Sequence, residues 1–204
     1  MGRPERDEVR LSALRVLGSG LSDAGHDADA LPVREAELST RQRLGDGKTN
    51  ILAAQSNLAI SYERLGQSEK ALRMTRDVYS GTLKLYGEDH RDTLLQANNY
   101  ADSLIRLQRF EEAKALLRKP VRVARRVLGE SHDVTLRMRW GYAEARCRDD
   151  GATLDHLREA VTTLEETERI ARRVLGGAHP ITVGVESTLR GARSVLRARE
   201  TPDA

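Results

Sequence analysis

The sequence predicts an all-α solenoid of antiparallel helix pairs, and three observations carry that prediction. First, a unit of 42 residues repeats: Gly45, Gly87 and Gly129 are spaced 42 and 42 apart, and Gly176 follows after 47. The apolar residues Leu44, Tyr86, Leu128 and Leu175 precede them, and Leu52, Leu94, Leu136 and Val183 stand seven positions after them. Second, each unit holds two stretches whose apolar residues recur at helical spacing. Third, Leu, Ala, Arg and Glu dominate a chain with only 3% aromatic residues, a composition that favours helix. One such unit cannot bury its own apolar face, so stacked neighbours must complete the core.

The elements follow in order. Residues 1–43 fit the unit loosely and read as a degenerate N-terminal repeat or cap, with helices near 5–17 and 27–43 joined by a loop from Gly18 to Gly25. The array itself is expected over 44–199, in units of about 44–86, 87–128 and 129–175 and a capping helix at 180–199. Its first helix, 50–65, starts at the capping residues Thr49 and Asn50 and carries Ile51, Leu52, Leu58, Tyr62 and Leu65. The second, 68–85, carries Ala71, Leu72, Val78 and Leu85 and ends at Gly87.

The next pair, 92–107 and 110–127, repeats the pattern, with Pro120 expected to bend its second helix. The third pair covers 133–148 and 153–174, with five extra residues between Cys147 and Ala160. Pro180 opens the last helix in a first-turn position, and Arg190, Arg193, Ser194 and Arg197 give it a polar outer side. Residues 200–204 read as a frayed tail.

Charge and cysteine content narrow the function. The 34 basic and 31 acidic residues leave a net charge of only +3, which is not a nucleic-acid footprint. The single cysteine excludes an internal disulfide, which fits a reducing, cytoplasmic location. No secretory leader, no N-myristoylation pattern and no run of about 18 apolar residues is present, so no membrane association is expected.

The helix pairs with small residues at Ala59/Ala71 and Ala101/Ala113 resemble tetratricopeptide repeats. The phrases from Tyr86 to Leu94, Asn98 to Ala101 and Arg109 to Ala113 resemble the 42-residue units of kinesin light chains and their relatives, over about residues 44–190. That resemblance implies a right-handed superhelix whose first helices line a concave groove. It implies a non-catalytic scaffold or adaptor that holds a peptide or partner protein there. No heptad run supplies the coiled coil of that family. The alternatives are a self-assembling structural module, or the regulatory part of a larger multidomain protein. A monomer or weak self-association is expected, and no cofactor.

In that family, asparagines of the groove hold the backbone of an extended peptide. The matching positions are Asn57 and Asn99, and Gly141 breaks the series. An amide offers both a donor and an acceptor; the alternative is that these side chains tie neighbouring repeats together. Arg64, Arg106 and Arg148 form another column. In the groove they would grip an acidic ligand; otherwise they pair with acids such as Glu63 or Asp102. Of a five-residue carboxylate clamp known in some tetratricopeptide domains, only Asn99 and Arg137 match, so no such clamp is predicted. Trp140 stands where Ser56 and Asn98 stand and faces the groove in this register, while Arg146 takes a position expected to be buried. Trp140, Arg137 and Arg148 therefore form the sharpest candidate contact patch, with a local packing change around the insertion as the alternative.

Catalytic and metal chemistry find little support. His90, His132 and His179 occupy equivalent turns. Packed helices are about 8–10 Å apart and zinc–nitrogen bonds about 2.0–2.1 Å long, so the three cannot share an ion in a regular stack; a turn-structuring role is expected. The stretch from Gly18 to Gly25 lacks the spacing of a phosphate loop, as does Gly47-Lys48-Thr49. Cys147 reads as an incidental thiol. The basic run from Arg118 to Arg126 interleaves with Val121, Ala124 and Val127, which marks an exposed helix face.

Overall fold

The computed structural model describes residues 4–201, with side chains from Asp7 onward. Among these residues all regular structure is α-helical. The helices are α1 (Pro4–Asp23), α2 (Asp27–Arg43), α3 (Lys48–Arg64), α4 (Ser68–Tyr86), α5 (Arg91–Arg106), α6 (Phe110–Val127), α7 (Asp133–Arg148), α8 (Leu154–Leu175) and α9 (Pro180–Glu200). The chain divides into two compact units between Leu85 and Tyr86, at the C-terminal end of α4.

In the first unit α2 packs on both α1 and α3. Leu38, Ala54 and Leu58 form its core, with Leu31, Ile51, Tyr62 and Met74 against them. Helices α3 and α4 approach closely at Gly81, where a Cβ would stand 2.6 Å from Leu52 Cδ2.

Two local expectations fail in this unit. The predicted loop from Gly18 to Gly25 is mostly helix: α1 runs on through Gly18 and Gly20 to Asp23. Only Ala24 to His26 turn the chain, with Gly25 at φ 79° and the His26 amide donating to the Leu21 carbonyl at 2.8 Å. Glycine is a poor helix former, but α2 presses on α1 at Gly18, where a Cβ would meet Arg34 Cγ at 3.1 Å. Tertiary packing overrides propensity there. The start of α3 is the other case. Thr49 and Asn50 lie inside the helix, and Gly47 is its N-cap. Asp46 does the bonding instead: its Oδ1 accepts from the Gly47 amide at 2.7 Å and from Asn50 Nδ2 at 2.9 Å, and its Oδ2 pairs with Arg41 at 2.6 Å.

In the second unit α5, α6, α7, α8 and α9 pack in succession, and α7 also touches both α5 and α9. Helices α5, α7 and α9 thus form one layer of this unit, backed by α6 and α8. A core centred on Leu136, Leu157, Leu164, Ile181 and Val185 fills the space between α7, α8 and α9. The extra residues of the third repeat lengthen its second helix: α8 has 22 residues against 18 in α6. Helix α6 continues through Pro120. Pro180 is the first residue of α9, where its missing amide hydrogen costs nothing.

One turn recurs three times here. Gly87, Gly129 and Gly176 adopt φ of 81°, 87° and 88°, and a histidine three residues later caps the next helix. Nδ1 of His90, His132 and His179 accepts from the amides of Asp92, Val134 and Ile181, each at 3.2 Å. The turn-structuring role expected of these histidines has a definite form: each is an N-cap.

Candidate binding site on helices α5 and α7

The contact between α5 and α7 opens into a cavity of about 420 Å³. Asp102, Ile105 and Arg106 of α5 line it, as do Arg137, Trp140, Gly141, Glu144 and Arg148 of α7. On each helix these residues are three or four positions apart, so they share one face. The register explains the opening. Gly141 occupies the column in which Asn57 and Asn99 stand, and it brings no side chain. A Cβ there would be at ordinary contact distance, 3.5 Å from Ile105 and Leu117 and 3.8 Å from Asp102 Oδ1.

Three guanidinium groups and two carboxylates meet around this space. Arg148 donates to Glu144 Oε1 at 2.8 Å and lies over the Phe110 ring, 4.8 Å from its centre. Asp102 accepts from Asn98 Nδ2 at 3.0 Å. Asp102 is exposed on its cavity side, while the protein packed around its carboxylate still strips it of part of its hydration. That desolvation pushes its pKa up to about 7, with Glu144 adding to the rise, against the pull of Arg106, Arg137 and the Asn98 bond. Arg137 is exposed and pairs with no carboxylate within 4 Å among the described residues.

Trp140 sits at the edge of the cavity and is half-buried. Its Nε1 donates to Thr188 Oγ1 on α9 at 2.8 Å, and its ring fills the space above Gly184. The indole is therefore both a cavity wall and a tie between α7 and α9.

The other predicted residues lie elsewhere. Asn99 is on α5 but does not line the cavity; its amide donates to Gln96 Oε1 at 3.3 Å. Asn57 belongs to the first unit, where its backbone carbonyl accepts from Arg34 at 2.6 Å. Arg64 fastens α3 to the end of α1 and the start of α2 through the Ser22 carbonyl at 2.9 Å and Asp27 at 3.2 Å. Arg146, expected at a buried position, is half-buried; it pairs with Glu159 at 2.5 Å and reaches over Tyr142. Its stem covers apolar surface while its head finds an acid. Cys147 is buried, and desolvation pushes its thiol up to about 11. In the basic run Lys119 pairs with Glu88, Arg126 with Asp89 and Arg125 with Glu130.

Sequence reasoning missed Asp102 and Glu144 as cavity residues, and Gly184 and Thr188 as the seat of Trp140. It also missed two buried arginines. Arg34 donates to the Asn57 carbonyl and to Ser61 Oγ, and Arg139 spans Glu130 at 2.9 Å and Glu166 at 2.7 Å. A signal existed for the latter: Arg139 shares its column with Ala97, a small buried residue.

Comparison with known proteins agrees with this architecture. The family model for the tetratricopeptide repeat matches residues 51–92 and 93–133. Those segments match the tetratricopeptide repeat, and the fold is that of kinesin light chain-like repeat proteins. A solved structure of a kinesin light chain-like protein of Podosopora anserina, with nearly identical TPR-like repeats, superposes with a TM-score of 0.72 at 21% identity, covering 98% of this chain and 91% of that one. A point variant of the same protein gives a TM-score of 0.75 at 21% identity, again covering 98% of this chain and 91% of that one. BtubC of P. vanneervenii gives 0.57 at 16% identity, covering 97% of this chain and 84% of its own. No curated protein matches the sequence significantly. Among the described residues no helix is long and apolar enough to cross a membrane.

Proposed function

We propose that this chain is a non-catalytic interaction scaffold, an adaptor of kinesin light chain type working in the cytoplasm, that docks an acidic peptide segment against α5 and α7. One observation carries the reading: Arg106, Arg137, Trp140 and Arg148 converge on a single cavity. The cations supply charge and forked donors for carboxylates, and the indole supplies a flat apolar wall. Asn99 lies on the same helix as Arg106 and serves to hold the backbone of the docked segment. In the first unit Asn57 offers the same amide chemistry, and Arg64, held by Ser22 and Asp27, offers only its exposed edge.

A peptide-array screen of acidic against charge-neutralised segments, followed by titration on the fluorescence of Trp140, the sole tryptophan, tests this. Acidic segments bind, and the Asn99→Ala, Arg106→Ala double variant weakens them at least tenfold. Unchanged affinity in that variant removes α5 from the docking surface.

A further inference from the structure

The cavity between α5 and α7 already contains two carboxylates, so an incoming third must be accommodated. Glu144 is held by Arg148 at 2.8 Å. Asp102 has the weaker arrangement: its hydrogen bond comes from the neutral amide of Asn98, which is only 2% exposed. Asn98 Oδ1 has no partner among the described residues. The two ends of an amide exchange places on a half-turn. Turned over, Asn98 presents Oδ1 where Nδ2 now stands, 3.0 Å from Asp102 Oδ2, and accepts the proton of a neutral carboxyl. The one amide thus serves either protonation state of Asp102.

We propose that this cavity binds one carboxylate of the partner segment together with one proton, the carboxylate entering between Arg137 and Arg148 and the proton passing from bulk water to Asp102. The inference rests on the reading of the cavity as the docking site for an acidic segment. Neutralising Asp102 removes a like charge from the site and leaves Arg137 to the ligand. The groups that face Asp102 are Arg106 on its own helix and Arg137, Glu144 and Arg148 on α7. Helix α6 contributes the apolar Leu117 beside Gly141, while its Lys114 pairs with Glu111 and Asp149 instead. Crowding already holds the Asp102 carboxyl at about 7 in the free protein. The protonated fraction of such a group falls roughly tenfold between pH 6 and pH 8, and affinity falls with it.

The test uses acetylated hexaglutamate amide, whose own carboxylates are ionised throughout this range. Binding is followed by Trp140 fluorescence and by calorimetry at pH 7.5 in two buffers of different ionisation enthalpy. Wild-type affinity drops about tenfold from pH 6 to pH 8, and the buffer dependence reports net proton uptake. Asp102→Asn, a mimic of the neutral carboxyl, binds at pH 8 as wild type does at pH 6, without pH dependence. The calorimetric arm needs no variant. Binding by wild type with no proton uptake and a flat pH profile overturns the proton coupling and leaves the docking reading intact. No binding by wild type or Asp102→Asn at any pH, with helicity unchanged, overturns the docking reading and this inference with it.

Discussion

The indole of Trp140 occupies the space that any side chain at Gly184 would need: a Cβ there would stand 2.1 Å from Trp140 Cη2. The ring cannot slide away without giving up its hydrogen bond to Thr188, four residues further along the same helix. Gly184→Ala should therefore destabilise the second unit by about 1–3 kcal/mol, although alanine is the better helix former. Thermal unfolding by circular dichroism measures this, and the emission of Trp140 should shift red as the indole leaves its seat. A variant as stable as wild type, with unchanged emission, would show that α7 and α9 have more room than the geometry gives them.

His132 accepts from the Val134 amide and closes the turn that begins at Gly129. Removal of such a cap costs about 1 kcal/mol. His132→Ala should lower stability by that amount, and His132→Asn, which keeps a short acceptor at the same place, should recover most of it. Urea unfolding of the three proteins checks the order. Equal losses for alanine and asparagine would argue against capping.

Arg34 donates to the Asn57 carbonyl at 2.6 Å and to Ser61 Oγ at 2.8 Å, and Ser61 is fully buried. Desolvation first, and then Arg64, lower the pKa of this guanidinium, so its burial is opposed as well as rewarded. Arg34→Ala loses both charge-assisted bonds and the stem packed against Gly18, about 2–3 kcal/mol. Arg34→Met keeps an apolar stem, and without the arginine Ser61 can turn to the Asn57 carbonyl four residues back. It should cost less than half as much. Chemical denaturation of both variants separates stem from charge.

A carboxyl whose pKa rises on folding binds its proton more tightly in the native state. Stability then falls as pH climbs from the ordinary carboxylate range to the native value, and levels off above it. For Asp102 that window runs from about 4 to about 7. Asp102→Asn should be more stable than wild type at pH 8, and the difference should vanish near pH 4. Unfolding free energies across that range supply the comparison.

The fold was legible because it rests on repetition. The glycine column and the apolar stripes place the helices of the array within a residue or two, from Lys48 to Glu200. Legibility failed where tertiary contact overrides local preference. Gly18 remains helical because α2 packs against it, and Asp46 ties down the start of α3 through the Gly47 amide and the Asn50 side chain, with no side-chain cap on the helix itself. Sequence reasoning put Trp140, Arg137 and Arg148 forward as one patch and Arg106 in a column with Arg148; the four line one cavity because α5 and α7 touch. It could not find Asp102 or Gly184, whose roles depend on a side chain from another helix. Arg64 shared the arginine column yet is bound to Ser22 and Asp27, since its surroundings are those of the first unit.

The central claim is that the cavity between α5 and α7 is where an acidic segment docks, and filling that cavity tests it most directly. At Gly141 a Cβ meets only ordinary contacts with Ile105, Leu117 and Asp102, so a larger residue enters the void rather than the backbone. Gly141→Leu, in mid-helix, should keep or raise helicity and thermal stability while abolishing the Trp140 fluorescence response to an acidic peptide that wild type binds. A folded Gly141→Leu protein that binds the peptide with wild-type affinity would contradict the account.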